Sequence, residues 1–241
     1  MNIKRNVVTK FLDLVKLKGD VESTEAIFNI SKSGINILTK TSNNILALKG
    51  NLKGEYEDIG DIGIGDLGLL KNFVSSFSTN ELQLTKNKNK LVLKATDEKL
   101  EIQANLTNPE YIKINVPQEK FDALLTAGKG NEFTLTQDMI KKISTYANTI
   151  KAEDIILSGD GTKLKLQLDE FDNRIVSEFE IKETVKPFKV KFQASYLTNL
   201  LTSITEDVIV SAHTNKFVYF KIQNDEYTIE YMLAPIEIKE K

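Results

Sequence analysis

The sequence predicts an α+β protein: two tandem repeats of one antiparallel-sheet domain, each with two helices on one face. Two observations carry that prediction. The first is internal repetition. Gly34, Ile37, Leu70, Val74, Phe77, Leu100, Ile102 and Leu106 return about 127 residues later as Gly161, Leu164, Leu197, Leu201, Ile204, Tyr227, Ile229 and Leu233. Leu82, Leu84 and Lys90 match Val208, Val210 and Lys216 at an offset of about 126. A one-residue slip of this kind belongs in a turn, because inside a strand it would move every side chain to the wrong face. The second observation is that strand-length segments come in pairs joined by tight turns, without regular crossover helices, which favours antiparallel sheets.

The elements follow in order. Asn6–Leu17 places Val8, Phe11, Leu12 and Val15 on one helical stripe. Glu25–Ser31, Gly34–Lys40 and Ile45–Leu52 alternate as strands, with Ser33-Gly34 and Ser42-Asn43-Asn44 as turns. After a loose acidic strand over Glu55–Ile64, Asp66 is the expected N-cap of a second helix with Leu67, Leu70, Phe73, Val74 and Phe77 inward. Strands are expected at Glu81–Lys86, Lys90–Ala95 and Lys99–Leu106. In the second half Thr136 caps a helix with Met139, Ile140, Ile143, Tyr146, Ala147 and Ile150 inward. Strands at Asp154–Ser158, Lys163–Asp169, Arg174–Lys182 and Lys189–Phe192 lead to a helix over Gln193–Thr205. Strands Asp207–Ala212, Lys216–Gln223 and Glu226–Leu233 follow. Residues 1–116 and 131–241 are thus expected as two domains. Residues 117–130 form a connecting loop, opened by Pro117 and closed by Gly128 and Gly130, with Phe121, Leu124 and Leu125 in its middle.

Composition bounds the chemistry. With no cysteine, disulfides and thiolate–metal sites are excluded and nothing points to secretion. Lys4 and Arg5 precede apolar positions broken by Lys10, Asp13 and Lys16, too short and charged a run for a signal peptide or membrane span. A soluble, intracellular protein is expected, with no membrane partner. Net charge is −2, from 32 basic and 34 acidic residues, so a basic surface must come from placement rather than count.

The helices show such placement. At 100° per residue the first exposes Asn6, Lys10 and Asp13, with Thr9 and Lys16 on its flank. The second exposes Gly68, Lys71, Asn72 and Ser75. The third exposes Gln137, Lys141, Ser144, Thr145 and Asn148, with Lys142 at the edge, and the fourth exposes Ser195, Thr198, Asn199 and Thr202. Gly68–Phe77, Met139–Ile150 and Gln193–Thr205 contain no Asp or Glu, where the chain's own acid frequency gives about five. Lysines among hydroxyl and amide side chains suit a polyanion held by its phosphates and not read by its bases. The bland alternative is a set of small solvated faces.

At this point the residues resemble a known family, the trimeric sliding clamps of DNA replication: the proliferating-cell-nuclear-antigen type with its phage and viral relatives. Tyr231-Met232-Leu233-Ala234-Pro235 is similar to that family's Tyr-Tyr-Leu-Ala-Pro ending, and Ser33-Gly34-Ile35-Asn36-Ile37 to its Ser-Gly-Val-Asn-Leu. Tyr196–Val210 adds a similar helix–strand segment, and the two-fold repeat fits over essentially the whole length. The resemblance implies the DNA clamp fold, assembling into a ring with helices lining the hole. It implies a non-enzymatic DNA polymerase processivity factor without cofactors, a homotrimer that encircles double-stranded DNA and works with a polymerase and an ATP-dependent clamp loader. It places Lys10, Lys16, Lys71, Lys141 and Lys142 as DNA-binding. It places Ile45, Ala47, Leu124, Leu125, Met232, Ala234 and Pro235 in a partner-binding pocket. Ring closure would pair Glu110–Val116 with Arg174–Lys182. Two departures stand out: Thr202 and Ser203 where cellular clamps carry a lysine, and Lys40 where they carry an apolar residue. Viral or phage origin follows from that distance, in a prokaryotic nucleoid or a eukaryotic nucleus according to host. The rival readings are a monomeric, non-ring polymerase accessory subunit with an open basic face, and a nuclease, which would need clustered carboxylates.

Other signals carry less. Gly63-Ile64-Gly65-Asp66-Leu67-Gly68 matches G-x-G-x-x-G, but antiparallel hairpins follow it where a dinucleotide site needs a parallel unit, and Asp66 would repel a pyrophosphate. Asp169, Glu170 and Asp172, like Asp58 and Asp61, are expected as solvated turns, not a calcium loop. His213 is the only histidine, so no triad or zinc site forms around it.

Overall fold

In the computed structural model residues 2–95, 97–114, 116–128, 130–214 and 216–237 are described. They fall into two compact units. One comprises Met1–Leu17, Glu22–Pro117 and Gln223–Ile229; the other comprises Lys18–Val21, Gln118–Ile222 and Glu230–Lys241.

The first unit contains β1 (Asn2–Lys4), α1 (Arg5–Lys16), β2 (Ala26–Ser31), β3 (Gly34–Lys40), β4 (Leu46–Lys53) and β5 (Gly60–Ile64). It continues with α2 (Leu67–Ser75), β6 (Glu81–Asn87), β7 (Lys90–Ala95) and β8 (Leu100–Asn105). Its strands run in the orders β1-β6-β7-β8 and β5-β2-β3-β4, with antiparallel neighbours throughout. Register follows the period-2 pattern. Leu84 opposes Leu93, Phe28 opposes both Ile37 and Ile62, and Ile35 opposes Leu52. All of these are buried, with Phe11 and Leu12 of α1 and Leu70 and Val74 of α2. Each such side chain contributes about 1.5–3 kcal/mol on leaving water. Gly50 in β4 lets α1 approach, since a β-carbon there would lie 3.1 Å from the Phe11 ring.

The second unit begins with α3 (Gln118–Gly128), β9 (Asn131–Leu135), α4 (Gln137–Ile150), β10 (Asp154–Glu170) and β11 (Asn173–Gln193). Then come α5 (Ala194–Thr202), β12 (Val208–Ala212), β13 (Val218–Gln223) and β14 (Tyr227–Leu233), of which Gln223 and Tyr227–Ile229 belong to the first unit. The order β9-β12-β13-β14 repeats β1-β6-β7-β8. Pairing within the β10–β11 hairpin repeats two further pairings of the first unit. Asp154–Gly159 pairs with Phe188–Gln193 as β2 does with β5, and Lys163–Glu170 pairs with Asn173–Glu180 as β3 does with β4. The duplication read from residue spacing is therefore a duplication of strand order.

Caps fall where expected. Asp66 Oδ1 accepts the Leu69 N–H at 2.8 Å, and Thr136 Oγ1 accepts the Met139 N–H at 3.4 Å. Each contributes about 1 kcal/mol. Helix α1 has no side-chain cap of its own; Asn80 serves it from a distance, accepting from Arg5 N–H at 2.8 Å and Asn6 N–H at 2.9 Å.

Three segments differ from expectation. The span expected as a connecting loop is helix α3, with Phe121 fully buried as its anchor. Phe121, Leu124 and Leu125 stand at helical spacing just after Pro117, a start signal legible in the sequence. The acidic strand is confined to Gly60–Ile64. Glu110–Val116 contributes no strand among the described residues: Pro109–Tyr111 is a 3-10 turn whose Asn108 side chain accepts the Glu110 N–H at 3.2 Å. Proline without an N–H and an asparagine that bonds its own backbone favour a turn at the start of this segment.

The glycines of the G-x-G-x-x-G match serve packing. A β-carbon on Gly63 would meet the Thr107 carbonyl oxygen at 2.3 Å, and one on Gly65 the Thr107 hydroxyl at 2.5 Å. Asp169 pairs with Arg174 at 3.3 Å, Glu170 accepts the Glu153 N–H at 3.1 Å, and Asp61 accepts from Asn29 at 2.7 Å. His213 is exposed, its Nδ1 3.0 Å from the Thr214 carbonyl oxygen.

Tyr219 of β13 is 5% exposed, and its hydroxyl has no hydrogen-bond partner among the described residues. Burial, reinforced by the Glu230 carboxylate, pushes its phenol up to about 12 from 10.0. Between those values the unfolded chain has lost a proton that the folded chain keeps, so stability falls as pH rises through the window, by about 2–3 kcal/mol. Tyr219→Phe is expected to abolish that alkaline loss. At neutral pH it should be neutral or slightly stabilising, because an unpaired buried hydroxyl is removed. Urea unfolding of both proteins on either side of pH 10 checks this; equal alkaline losses would contradict it.

Candidate nucleic-acid interface

The outward faces of α1 and α2 in the first unit, and of α4 and α5 in the second, carry the residues expected to meet phosphates. On α1, Asn6 and Lys10 are exposed, whereas Thr9, Asp13 and Lys16 are half-buried. The Lys10 ammonium lies 5.8 Å from the centroid of the Tyr227 ring, a cation–π distance. On α2, Asn72 and Ser75 are exposed and Lys71 is half-buried; Leu69, at 47% exposure, adds an apolar side chain that the wheel did not flag. On α4, Lys141, Lys142, Thr145 and Asn148 are exposed.

Ser144 corrects the wheel. Expected on the outward face, it is 8% exposed, and its hydroxyl has no partner among the described residues. The reason is local: position 144 stands four residues after Ile140 and three before Ala147, inside the buried stripe.

The five lysines are not equivalent. Lys71 is ion-paired with Asp13, joining α2 to α1. Lys16 is ion-paired with Glu22, and its aliphatic stem lies over Gly68 of α2. Lys142 meets Asp138 at 2.7 Å across one helical turn. That hydrogen bond, with the aspartate's charge, raises the Lys142 pKa above its ordinary value. Lys141 has no ion pair among the described residues. The Asp138–Lys142 pair is legible as an i,i+4 spacing, but the acid-free window begins one residue later, at Met139. The Asp13–Lys71 pair joins residues far apart in the chain and appears only in three dimensions.

Helix α5 is neutral and also largely committed to itself. Thr198 Oγ1 donates to the Ala194 carbonyl at 2.7 Å and Thr202 Oγ1 to the Thr198 carbonyl at 2.7 Å. Ser203 Oγ donates to the Asn199 carbonyl at 2.8 Å. Asn199 packs on Gly19, where a β-carbon would come within 2.4 Å of its amide nitrogen. Carbonyls only accept, so these hydroxyl protons point into the helix and the oxygens offer lone pairs outward. A phosphate oxygen is an acceptor too, so α5 would meet it through water.

The expected partner-binding residues separate by exposure. Met232 is 1% exposed in β14 and is a core residue, which corrects its place in a docking surface. Period 2 alone puts it on the face opposite Tyr231 and Leu233, yet all three are buried. In the second unit Leu124 and Leu125 of α3 are half-buried, as are Ala234 and Pro235. The Ile236 N–H donates to the Lys191 carbonyl at 2.7 Å, fixing the chain just after Pro235. In the first unit Ile45 and Ala47 are half-buried.

Among the described residues no helix is long and apolar enough to cross a membrane. No protein-family model and no curated protein matches the sequence. The fold does match solved structures. Proliferating Cellular Nuclear Antigen from Entamoeba histolytica superposes with a TM-score of 0.81 at 13% identity, over 98% of either chain. PCNA of A. fulgidus, solved with the C-terminal region of FEN-1 bound, gives 0.80 at 16% identity, over 99% of this chain and 98% of that one. PCNA from Thermococcus kodakaraensis gives 0.79 at 16% identity, over 98% of this chain and 99% of that one. With two repeated units, the same strand order in each and helices over the sheets, the chain has the fold of proliferating cell nuclear antigen.

Proposed function

We propose that this chain is the subunit of a DNA sliding clamp, a non-catalytic processivity factor. Three copies close head to tail into a ring around double-stranded DNA. The observation that carries the reading is the fold likeness to PCNA structures over essentially the full length. The acid-poor helical faces give it a mechanism. A closed ring leaves duplex only by opening, so weak, sequence-blind phosphate contacts suffice and do not stop motion. Tethering then holds a DNA polymerase at high effective concentration near the primer end. The remaining partner is an ATP-dependent loader, and the compartment is that of the cell's DNA.

Lys10, Lys16, Lys71, Lys141 and Lys142 are proposed as the DNA-facing cations. Ile45, Ala47, Leu124, Leu125, Ala234 and Pro235 are proposed as partner-binding. The A. fulgidus PCNA, solved with a bound FEN-1 segment, shows that a protein of this fold accepts a peptide. Domains at 1–116 and 131–241, joined by 117–130, remain our proposal for the repeat boundaries.

Native mass tests the ring. About three times 27.2 kDa is expected, with retention on closed circular DNA and release on linearisation. A monomeric mass at every concentration would favour the accessory-subunit reading, with an open basic face.

A further inference from the structure

Among the proposed DNA-facing lysines, Lys71, Lys142 and Lys16 carry a carboxylate at contact distance, from Asp13, Asp138 and Glu22 respectively. Two of those carboxylates, Asp13 and Asp138, belong to the phosphate-facing helices themselves. Their side chains are 41% and 72% exposed. Exposed pairs of this kind contribute little to stability. Toward a polyanion their effect is larger. Each subtracts a charge well inside the Debye length of about 10 Å at 0.1 M salt, and a phosphate must displace the carboxylate before it can take the ammonium. Helix α5 points the same way, since the hydroxyl protons of Thr198, Thr202 and Ser203 are spent on its own carbonyls.

We propose that Asp13 and Asp138 are counter-charges that set how weakly the helices hold a duplex. They keep Lys71 and Lys142 near the phosphates while withholding most of their grip, so that the protein stays on DNA by closure and not by adhesion. The inference rests on the clamp reading. Asp13 and Asp138 act through the lysines and are positioning residues.

The test uses the full-length protein, Asp13→Asn, Asp138→Asn and the double variant. Asparagine keeps the shape and a hydrogen-bond acceptor while removing the charge. Binding of a short linear duplex is measured across a salt series. Each single variant is expected to bind several-fold more tightly and to steepen the slope of log affinity against log salt by about 0.9 for each lysine released to phosphate. The double variant should add both effects and diffuse more slowly along DNA. Glu101→Gln, which breaks the Lys94–Glu101 pair (3.3 Å) on β7 and β8, should leave the slope unchanged. A wild-type slope already matching all five lysines, unaltered by either aspartate change, would overturn the inference alone. So would variants that shift the melting temperature but not the salt slope. No binding by any version at low salt, together with a monomeric mass, would overturn the clamp reading itself.

Discussion

Charge reversal of Lys10, Lys71 and Lys141 to Glu in one protein is expected to weaken duplex binding by about a thousandfold. Stimulation of polymerase on long templates should fall with it, while the oligomeric mass stays unchanged. The size follows from counting: each change replaces an attraction to phosphate with a repulsion, repeated in every copy around the duplex. The three sites differ in weight. Lys141 has no ion pair among the described residues, so Lys141→Glu alone should cost more than Lys142→Glu, whose lysine is already offset by Asp138. Lys71→Glu sets a second carboxylate beside Asp13, and Lys10→Glu gives up the ammonium over the Tyr227 ring. Both positions are on helix surfaces, so each change costs under about 1 kcal/mol of folding stability. Equilibrium binding, primer-extension length and native mass are the readouts. Undiminished processivity would mean that these helical faces do not point at DNA.

Leu125→Ser combined with Pro235→Ala is expected to reduce polymerase binding by about a hundredfold, the loss typical when apolar anchors of an interface are truncated. Both residues belong to the second unit and are half-buried. The substitutions spare what holds their segments in place. Phe121, fully buried, anchors α3, and the Ile236–Lys191 bond fixes the chain beyond Pro235. Native mass should therefore not change. Polymerase titration against the double variant decides the matter: unchanged affinity would move the docking surface elsewhere.

Much of this architecture was legible before any coordinates. Strand β3 runs over Gly34–Lys40, and α2 and α5 begin beside Asp66 and Gln193, because alternation, caps and helical stripes are local signals. The errors have local causes as well. Pro117 and the Phe121-Leu124-Leu125 spacing announce a helix where a loop was expected, and Pro109 with Asn108 sets a turn at the start of the Glu110–Val116 segment. Ser144, four residues after Ile140 and three before Ala147, falls in the buried stripe of α4, and Met232, placed in the pocket by resemblance and not by periodicity, is buried.

By itself the sequence determined the duplicated α+β fold, its caps and strand alternation, and the scarcity of acids on the helices, all functions of spacing along one chain. Only the tertiary structure decided which of those helical cations meet a carboxylate. Lys71 and Asp13 stand on separate helices, and charges interact through distance in space, which no reading of spacing supplies.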